Sequence, residues 1–163
     1  MALTLCPLAQ ARAARSKERT LALHNIHTGE QLKRVYWAAG DYIPDSLAEI
    51  DVVLRDWRTD DIYPMEPRLL DLLYKLRGVM DAQVPFEVIS GYRSPKTNAM
   101  LAAASSGVAK KSLHMRGMAI DINLPGRRLT DLRDAAWRLQ QGGVGYYQKG
   151  GFVHVDIGRV RRW

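Results

Sequence analysis

Apolar and polar residues along the chain follow two periods, which together predict a mixture of strands and helices. Strand-like runs flanking a Thr28-Gly29 turn predict a β-hairpin over residues 21–39. Alternation and β-propensity predict further strands at residues 86–89, 117–122 and 152–157. Start signals and apolar residues at helical spacing predict helices after residues 44–46, after residues 66–67, and over residues 97–105 and 130–140. The pattern predicts an α+β fold, a small and mainly antiparallel sheet with helices around it.

The strand at residues 117–122 has one unusual face. Side chains alternate between the faces of a strand, so Gly117, Ala119 and Asp121 share one face and the other face is apolar. Two small residues beside a carboxylate leave room for a ligand. We therefore expect this face to border a cleft.

The last strand carries a second polar set. His154 and Asp156 share a face with Phe152, while the opposite face is again apolar. If the two strands are neighbours, Asp121, His154 and Asp156 point into one cleft. His114 precedes the first of these strands in a loop and can fold over that face.

Two imidazoles and one carboxylate are a suitable ligand set for a catalytic zinc ion. Three protein ligands leave the fourth tetrahedral position open for water, which becomes acidic enough to supply hydroxide near neutral pH. The ligands would be His114, Asp121 and His154. The alternative is that these are hydrogen-bonded structural residues in turns, and alternation alone leaves both interpretations open.

Composition narrows the protein class. The chain has 163 residues, 47% of them hydrophobic and 25% charged, which suits one globular domain. A single cysteine excludes a disulfide framework and a Cys-rich zinc site. The net charge of +7 favours an anionic partner, and by itself it would place nucleic acid first.

The first residues resemble the end of a secretory signal peptide. A short apolar stretch in residues 1–14 is followed by small residues in an A-x-A arrangement, although a positively charged front part is missing. We therefore predict a signal remnant and disordered segment at residues 1–19, a domain at residues 20–163, and an exported, periplasmic protein. Cys6 would be removed with that segment. No apolar run reaches the 18 residues that suggest a membrane-spanning helix.

The spacing His114-x-x-Gly117-x-Ala119-x-Asp121, followed by a histidine on a strand, resembles a known pattern. It is similar to the zinc peptidases grouped as lysostaphin, D-Ala-D-Ala carboxypeptidase and hedgehog, most closely the murein endopeptidase K type. The motifs arrive in the order of that branch: HTGE at 27–30, LRDWRT at 54–59, SGYRS at 90–94, GVAKKSLHMRGMAIDI at 107–122, GGVGYY at 142–147 and FVHVDIGRVRRW at 152–163.

The resemblance implies zinc-dependent hydrolysis of peptide crosslinks in peptidoglycan, with one zinc ion per chain. In that group the zinc ligands match His114, Asp121 and His154, and the fold is hedgehog-like or D-Ala-D-Ala-peptidase-like. Arg93, in the SGYRS turn, would hold a substrate carbonyl or carboxylate and could stabilise the oxyanion. The resemblance leaves D,D or L,D preference, endopeptidase or carboxypeptidase action, and the oligomeric state undecided.

The chain departs from its relatives at one catalytic position. Many relatives have an acidic general base three residues before the last ligand histidine, where this chain has Gly151. Asp156 is the nearest candidate to take the proton from the attacking water. It could equally orient a ligand or be one itself. Ser112 and Tyr147 are further candidates for hydrogen bonds in the cleft, whereas His24 and His27 suit surface or turn roles.

Two other function classes compete with the peptidase. The missing acid at Gly151 favours a zinc-stabilised module that binds cell wall or a protein without cutting. The basic residues Lys110, Lys111 and those at 159–162 suggest a nucleic-acid-binding protein, but the chain has no recognition helix, zinc finger or ribonucleoprotein motif. We therefore expect peptidoglycan rather than nucleic acid as the partner.

Overall fold

A β-hairpin opens the described part of the chain. The computed structural model describes residues 18–105 and 107–163, and β1 (Glu18–Asn25) pairs antiparallel with β2 (Gln31–Ala38) within it. β1 begins three residues before the predicted start of the hairpin. The predictions for residues 1–14 and for Cys6 lie outside the described residues.

Six more strands and four helices follow. The strands are β3 (Asp41–Tyr42), β4 (Phe86–Ser90), β5 (Ala119–Asn123), β6 (Gly143–Tyr147), β7 (Phe152–Asp156) and β8 (Arg161–Arg162). The helices are α1 (Pro44–Val53), α2 (Pro67–Val79), α3 (Pro95–Ala104) and α4 (Leu129–Leu139), and a 3₁₀ turn covers Leu113–Arg116. No helix in these ranges is both long and apolar enough to cross a membrane.

All eight strands form one mixed sheet in the order β3-β2-β1-β4-β5-β7-β6-β8. β1 pairs parallel with β4 and β6 pairs parallel with β8, while the other neighbours are antiparallel. The α+β prediction is confirmed, and the sheet is mainly antiparallel. Sequence patterns missed β3, β6 and β8, because two of them have only two residues and β6 lies in a glycine-rich segment.

The helices bury their apolar faces in a single core. The first three begin with a proline at their start, where the missing backbone N–H costs nothing. In α2 the predicted core residues are all buried: Leu69, Leu70, Leu72, Leu73 and Leu76. They join the apolar faces of β5 and β7 in one cluster, so the opposite face of these two strands is left for polar side chains.

β5 starts two residues later than its alternation predicts, because Gly117 does not have strand geometry. Gly117 has a φ of +63° and caps the 3₁₀ turn in the left-handed region, where residues other than glycine are strained. A Cβ at this position would also collide with the carbonyl oxygen of Pro64. Gly117 therefore ends the turn that carries His114 rather than lining the cleft.

A half-buried carboxylate, Asp71, ties α2 to the hairpin and to β3. Asp71 accepts hydrogen bonds from Arg19 Nη1 at 2.6 Å, from the Tyr36 hydroxyl at 2.9 Å and from the Tyr42 hydroxyl at 2.8 Å. Burial alone would raise the pKa of Asp71, but the three donors outweigh burial and hold this pKa below its usual value.

We expect Asp71→Asn to lower the free energy of unfolding at pH 7 by about 1–3 kcal/mol, since donors that now meet a carboxylate would meet an amide. Because the folded-state pKa of Asp71 is lowered, its contribution is present above about pH 4 and is lost as the pH falls toward that pKa. Urea unfolding at pH 7 and at about pH 3 measures this. The difference from wild type should shrink at low pH, and an equal difference at both pH values would contradict the assignment. Asp41→Asn, at an exposed position on β3, is the control.

Candidate metal centre

The pairing of β5 with β7 builds the centre of the site. Asp121 is the register partner of His154, and the 3₁₀ turn before β5 places His114 beside them. His154 Nδ1 lies 2.9 Å from Asp121 Oδ1, and His114 Nε2 lies 3.2 Å from His154 Nδ1 and 3.3 Å from Asp121 Oδ1. The structure thus brings together the three residues that the sequence predicts as metal ligands, and all three are buried.

The outer nitrogen of each imidazole has its own partner. His114 Nδ1 lies 2.8 Å from the carbonyl oxygen of Gly91, so that nitrogen carries the proton and donates. His154 Nε2 lies 3.0 Å from Asp156 Oδ2 and donates in the same way. In the neutral rings the remaining nitrogens, His114 Nε2 and His154 Nδ1, present lone pairs toward the Asp121 carboxylate. Three acceptors that converge without a donor between them are a site for a cation.

The spacing of the donor atoms fits zinc. Ligand atoms about 2.0–2.1 Å from one tetrahedral zinc ion lie about 3.3 Å from each other. The three separations in this site are 2.9, 3.2 and 3.3 Å. His-His-Asp is also the donor chemistry of a catalytic zinc site with one open position. The residues present therefore fit the ion without rearrangement of the backbone.

Asp156 lies behind His154, on the side away from the donor cluster. Its side chain is completely buried, and Oδ1 accepts from the backbone N–H groups of Gly143 at 2.9 Å and Gly158 at 2.8 Å. Oδ2 accepts from His154 Nε2 at 3.0 Å and from Arg161 Nη2 at 2.8 Å. Burial alone would raise the pKa of Asp156, but these donors hold it well below its usual range. The contacts favour the orienting role among those that the sequence left open.

The neighbouring groups of the cluster shift the pKa values of Asp121 and His154. Burial alone would raise the pKa of Asp121, but the adjacent rings of His114 and His154 hold this pKa well below its usual range. Burial alone would lower the pKa of His154, but the adjacent carboxylates of Asp121 and Asp156 raise this pKa above the usual value, so a cation that binds here displaces a proton. Asp121 is therefore ionised.

Arg93 extends from the SGYRS turn toward the cluster. Its Nη2 lies 3.5 Å from Asp121 Oδ2, and its side chain is 11% exposed. Burial lowers the pKa of the guanidinium, which Asp121 partly offsets, but an arginine stays charged in proteins. Among the described residues, Arg93 Nε has no hydrogen-bond acceptor. The charged guanidinium lies in the wall of the cleft, where it suits a substrate oxygen.

The turn that carries Arg93 is held by a residue that sequence reasoning missed. Asp56 is buried, and its Oδ2 accepts from the backbone N–H of Ser94 at 2.9 Å. The backbone N–H of Tyr92 donates to the carbonyl oxygen of Leu54 at 2.7 Å. A Cβ at Gly91 would collide with the same oxygen. The LRDWRT motif thus positions the turn whose Gly91 carbonyl orients His114. The sign of this role in the sequence was the aspartate within that motif.

The cluster lies in the wall of a cleft of about 430 Å³. Ser112, Tyr147 and Trp163 also line this cleft, and Trp163 is a second residue that sequence reasoning missed. The Ser112 hydroxyl accepts the backbone N–H of His114 at 3.3 Å and so caps the 3₁₀ turn. Among the described residues that line the cleft, Asp121 is the only acid.

The other predicted positions lie apart from the cluster. The ring of His27 stacks on Trp57 with centroids 4.1 Å apart, and His24 lies within β1. Gly151 has a φ of +70°, a conformation that strains any residue with a side chain. The backbone at Gly151 therefore disfavours a glutamate or aspartate there.

Comparison with known proteins identifies the family of the chain. The family described as peptidoglycan L,D-endopeptidase MepK matches residues 13–163. The peptidoglycan L,D-endopeptidase MepK of Escherichia coli strain K12 is 44% identical over 147 residues, which cover 90% of this chain and 81% of that protein. The probable peptidoglycan L,D-endopeptidase MepK of Haemophilus influenzae is 41% identical over 156 residues, covering 94% of this chain and 83% of that protein.

The family match covers residues 13–163 and so includes every element that builds the candidate site, and the relatives cover most of the chain. They agree with the resemblance that the ordered motifs of the sequence indicate. The chain belongs to the peptidase family M15_2, the family of peptidoglycan L,D-endopeptidase MepK.

Proposed function

We propose that the chain is an exported zinc peptidase that hydrolyses peptide crosslinks of peptidoglycan as an endopeptidase. The observation that carries this proposal is the convergence of His114 Nε2, Asp121 Oδ1 and His154 Nδ1 within 2.9–3.3 Å of each other in the wall of an open cleft. The names of the relatives support the substrate class and favour L,D bonds over D,D bonds. The same likeness supports a fold of the hedgehog and D-Ala-D-Ala peptidase type for residues 20–163.

His114, Asp121 and His154 would hold one zinc ion, which when bound supplies a Lewis acid and lowers the pKa of a coordinated water. The Gly91 carbonyl and Asp156 fix the two imidazole rings in the tautomers that the ion requires. Metal binding requires an ionised aspartate and neutral histidines, so it would release a proton from His154, and the two outer hydrogen bonds orient the rings for it.

Arg93 would bind the carbonyl oxygen of the scissile peptide bond. In the reaction the oxygen of a water molecule bonds to the carbonyl carbon, the C–N bond breaks, and the proton from water is transferred to the departing amine. Negative charge grows on the carbonyl oxygen during the attack, and the guanidinium of Arg93 in the wall of the cleft is a donor for it. The products are one carboxylate and one amine.

Digestion of purified peptidoglycan with zinc-loaded protein, with and without a chelator, tests the function. We expect crosslinked muropeptides to disappear and uncrosslinked peptides to appear, with masses that identify the cleaved bond as L,D. A chelator should stop the release, and added zinc should restore it. If zinc-loaded protein leaves all crosslinked muropeptides uncut, the enzymatic proposal fails.

One observation favours a second candidate, a zinc-stabilised module that binds cell wall without cutting it. The described residues that line the cleft include no acid besides Asp121, and Gly151, three residues before His154, has no side chain to act as a base. This module would bind peptidoglycan in the same cleft and release no peptide. The digestion experiment separates the two candidates, because only the enzyme produces new peptide ends.

We expect Asp156→Asn to weaken zinc binding about 10- to 100-fold, because loss of a carboxylate behind a ligand histidine typically has that effect. Zinc titration of the apoprotein measures the affinity. If Asp156 orients His154, saturating zinc should restore kcat, whereas a kcat that stays low at full occupancy would assign Asp156 as the proton acceptor. Asp134→Asn, an exposed aspartate on α4, is the control.

A further inference from the structure

A second groove begins on the far side of Trp163 from the metal centre. It has a volume of about 550 Å³, and its walls include Arg133 and Trp137 of α4, Tyr146 of β6 and Arg162 of β8. We call it the arginine groove. None of these four residues lines the cleft, so the peptidase chemistry does not account for them.

Trp163 belongs to both the cleft and the arginine groove. Its ring lies 5.3 Å from that of His154, and its Nε1 donates to the Tyr147 hydroxyl at 2.9 Å. Gly145 makes room for the indole, since a Cβ there would come within 2.7 Å of a ring carbon. The indole is thus held as a partition between the two spaces.

One arginine of the groove, Arg162, has no ion-pair partner among the described residues. Arg162 lies over the Trp137 ring, with Cζ 4.9 Å from the ring centroid, and has no carboxylate within 4.0 Å among the described residues. Arg133 lies over Tyr146 at 4.8 Å but is paired with Asp134 at 2.7 Å. The neighbouring Arg161 points the other way and binds Asp156 at 2.8 Å. Arg162 is therefore the residue of the groove that is available to an external anion.

We propose that the arginine groove binds a carboxylate-bearing arm of the crosslinked substrate, with Arg162 as its anion ligand. The inference rests on the proposed function, because a crosslink has a peptide arm on each side of the scissile bond and an endopeptidase must accommodate both. Stem peptides of the wall carry free carboxylates, and the aromatic rings hold the guanidinium where its donors can reach one. Arg162 contacts no reacting atom and acts on binding.

Kinetics on a purified crosslinked muropeptide test the groove. With zinc-loaded protein, Arg162→Ala should raise KM about five- to tenfold and leave kcat within about twofold, because it removes one charge-assisted contact remote from the reaction. The KM of wild type should rise with salt more steeply than that of the variant. Arg138→Ala removes an exposed arginine from the same helix α4 outside the groove and should change neither constant. Equal KM values for Arg162→Ala and Arg138→Ala would overturn the proposal.

Sedimentation with insoluble peptidoglycan tests the groove without catalysis. On a His114→Ala background, which cannot cut, adding Arg162→Ala should lower the bound fraction at least about threefold, and adding Arg138→Ala should not. Equal binding of the two double variants would overturn the groove proposal even if wild type is active. If the wild type is inactive but its sedimentation still depends on Arg162, the proposed function is overturned and the groove proposal stands.

Discussion

Replacement of His114 by alanine is expected to abolish zinc binding and to lower kcat/KM for crosslinked muropeptides by at least about a thousandfold. His114 supplies one of three converging donors, and its other nitrogen is fixed by the Gly91 carbonyl at 2.8 Å. Two remaining ligands bind the ion weakly and do not fix its open position. Zinc per chain, measured by elemental analysis, should fall from one to near zero, and no peptide should be released.

His27→Ala is the matched control for this experiment. His27 is also a histidine near the SGYRS turn, with Nε2 3.1 Å from the Ile89 carbonyl oxygen, but it is not part of the donor cluster. It should keep one zinc ion and its activity. A His114→Ala protein that still binds one zinc ion with unchanged affinity would rule out the assigned ligand set.

Arg93→Ala is expected to lower kcat about 100- to 1,000-fold while the zinc content stays at one per chain. The guanidinium lies in the wall of the cleft, with Nη2 3.5 Å from Asp121 Oδ2. Arg93→Lys keeps the charge but loses the planar fork, so it should recover only part of the rate. Steady-state kinetics on the crosslinked muropeptide provide the measurement.

Whether Arg93→Ala changes kcat or KM distinguishes the two substrate groups that Arg93 could bind, a carbonyl oxygen and a carboxylate. Binding of the carbonyl oxygen during attack predicts a loss in kcat, whereas binding of a substrate carboxylate predicts a rise in KM with kcat unchanged. Arg58→Ala is the control, because Arg58 is exposed in the neighbouring LRDWRT motif and lies over the Trp57 ring at 3.9 Å. Full activity of Arg93→Ala would remove Arg93 from the mechanism.

The excess of basic residues has a different meaning once the fold is known. The net charge of +7 first suggested nucleic acid. Arg93 and Arg161 lie within contact distance of Asp121 and Asp156 beside the metal centre, and Arg162 lies in the arginine groove. Part of the charge therefore surrounds one cleft and its extension, where it suits the carboxylates of a wall peptide.

The sequence by itself determined the features that depend on local periodicity. Alternation with a period of two placed Asp121 and His154 on the polar faces of their strands, as they are in the structure. Helical spacing identified the buried leucines of α2. The motif order indicated the family that the comparisons show. Such features are readable because neighbouring residues along the chain decide them.

Only the tertiary structure decided the features that depend on residues far apart in the chain. The register of β5 with β7 puts Asp121 opposite His154 across 33 residues, and Asp56 reaches Ser94 across 38 residues. The position of Asp156 behind His154 rather than in the cleft follows from its bonds to Gly143, Gly158 and Arg161. β8 is too short to predict, yet its pairing with β6 places Trp163 between cleft and groove. A pattern along the chain carries no information about such contacts, because they form only when distant segments pack together.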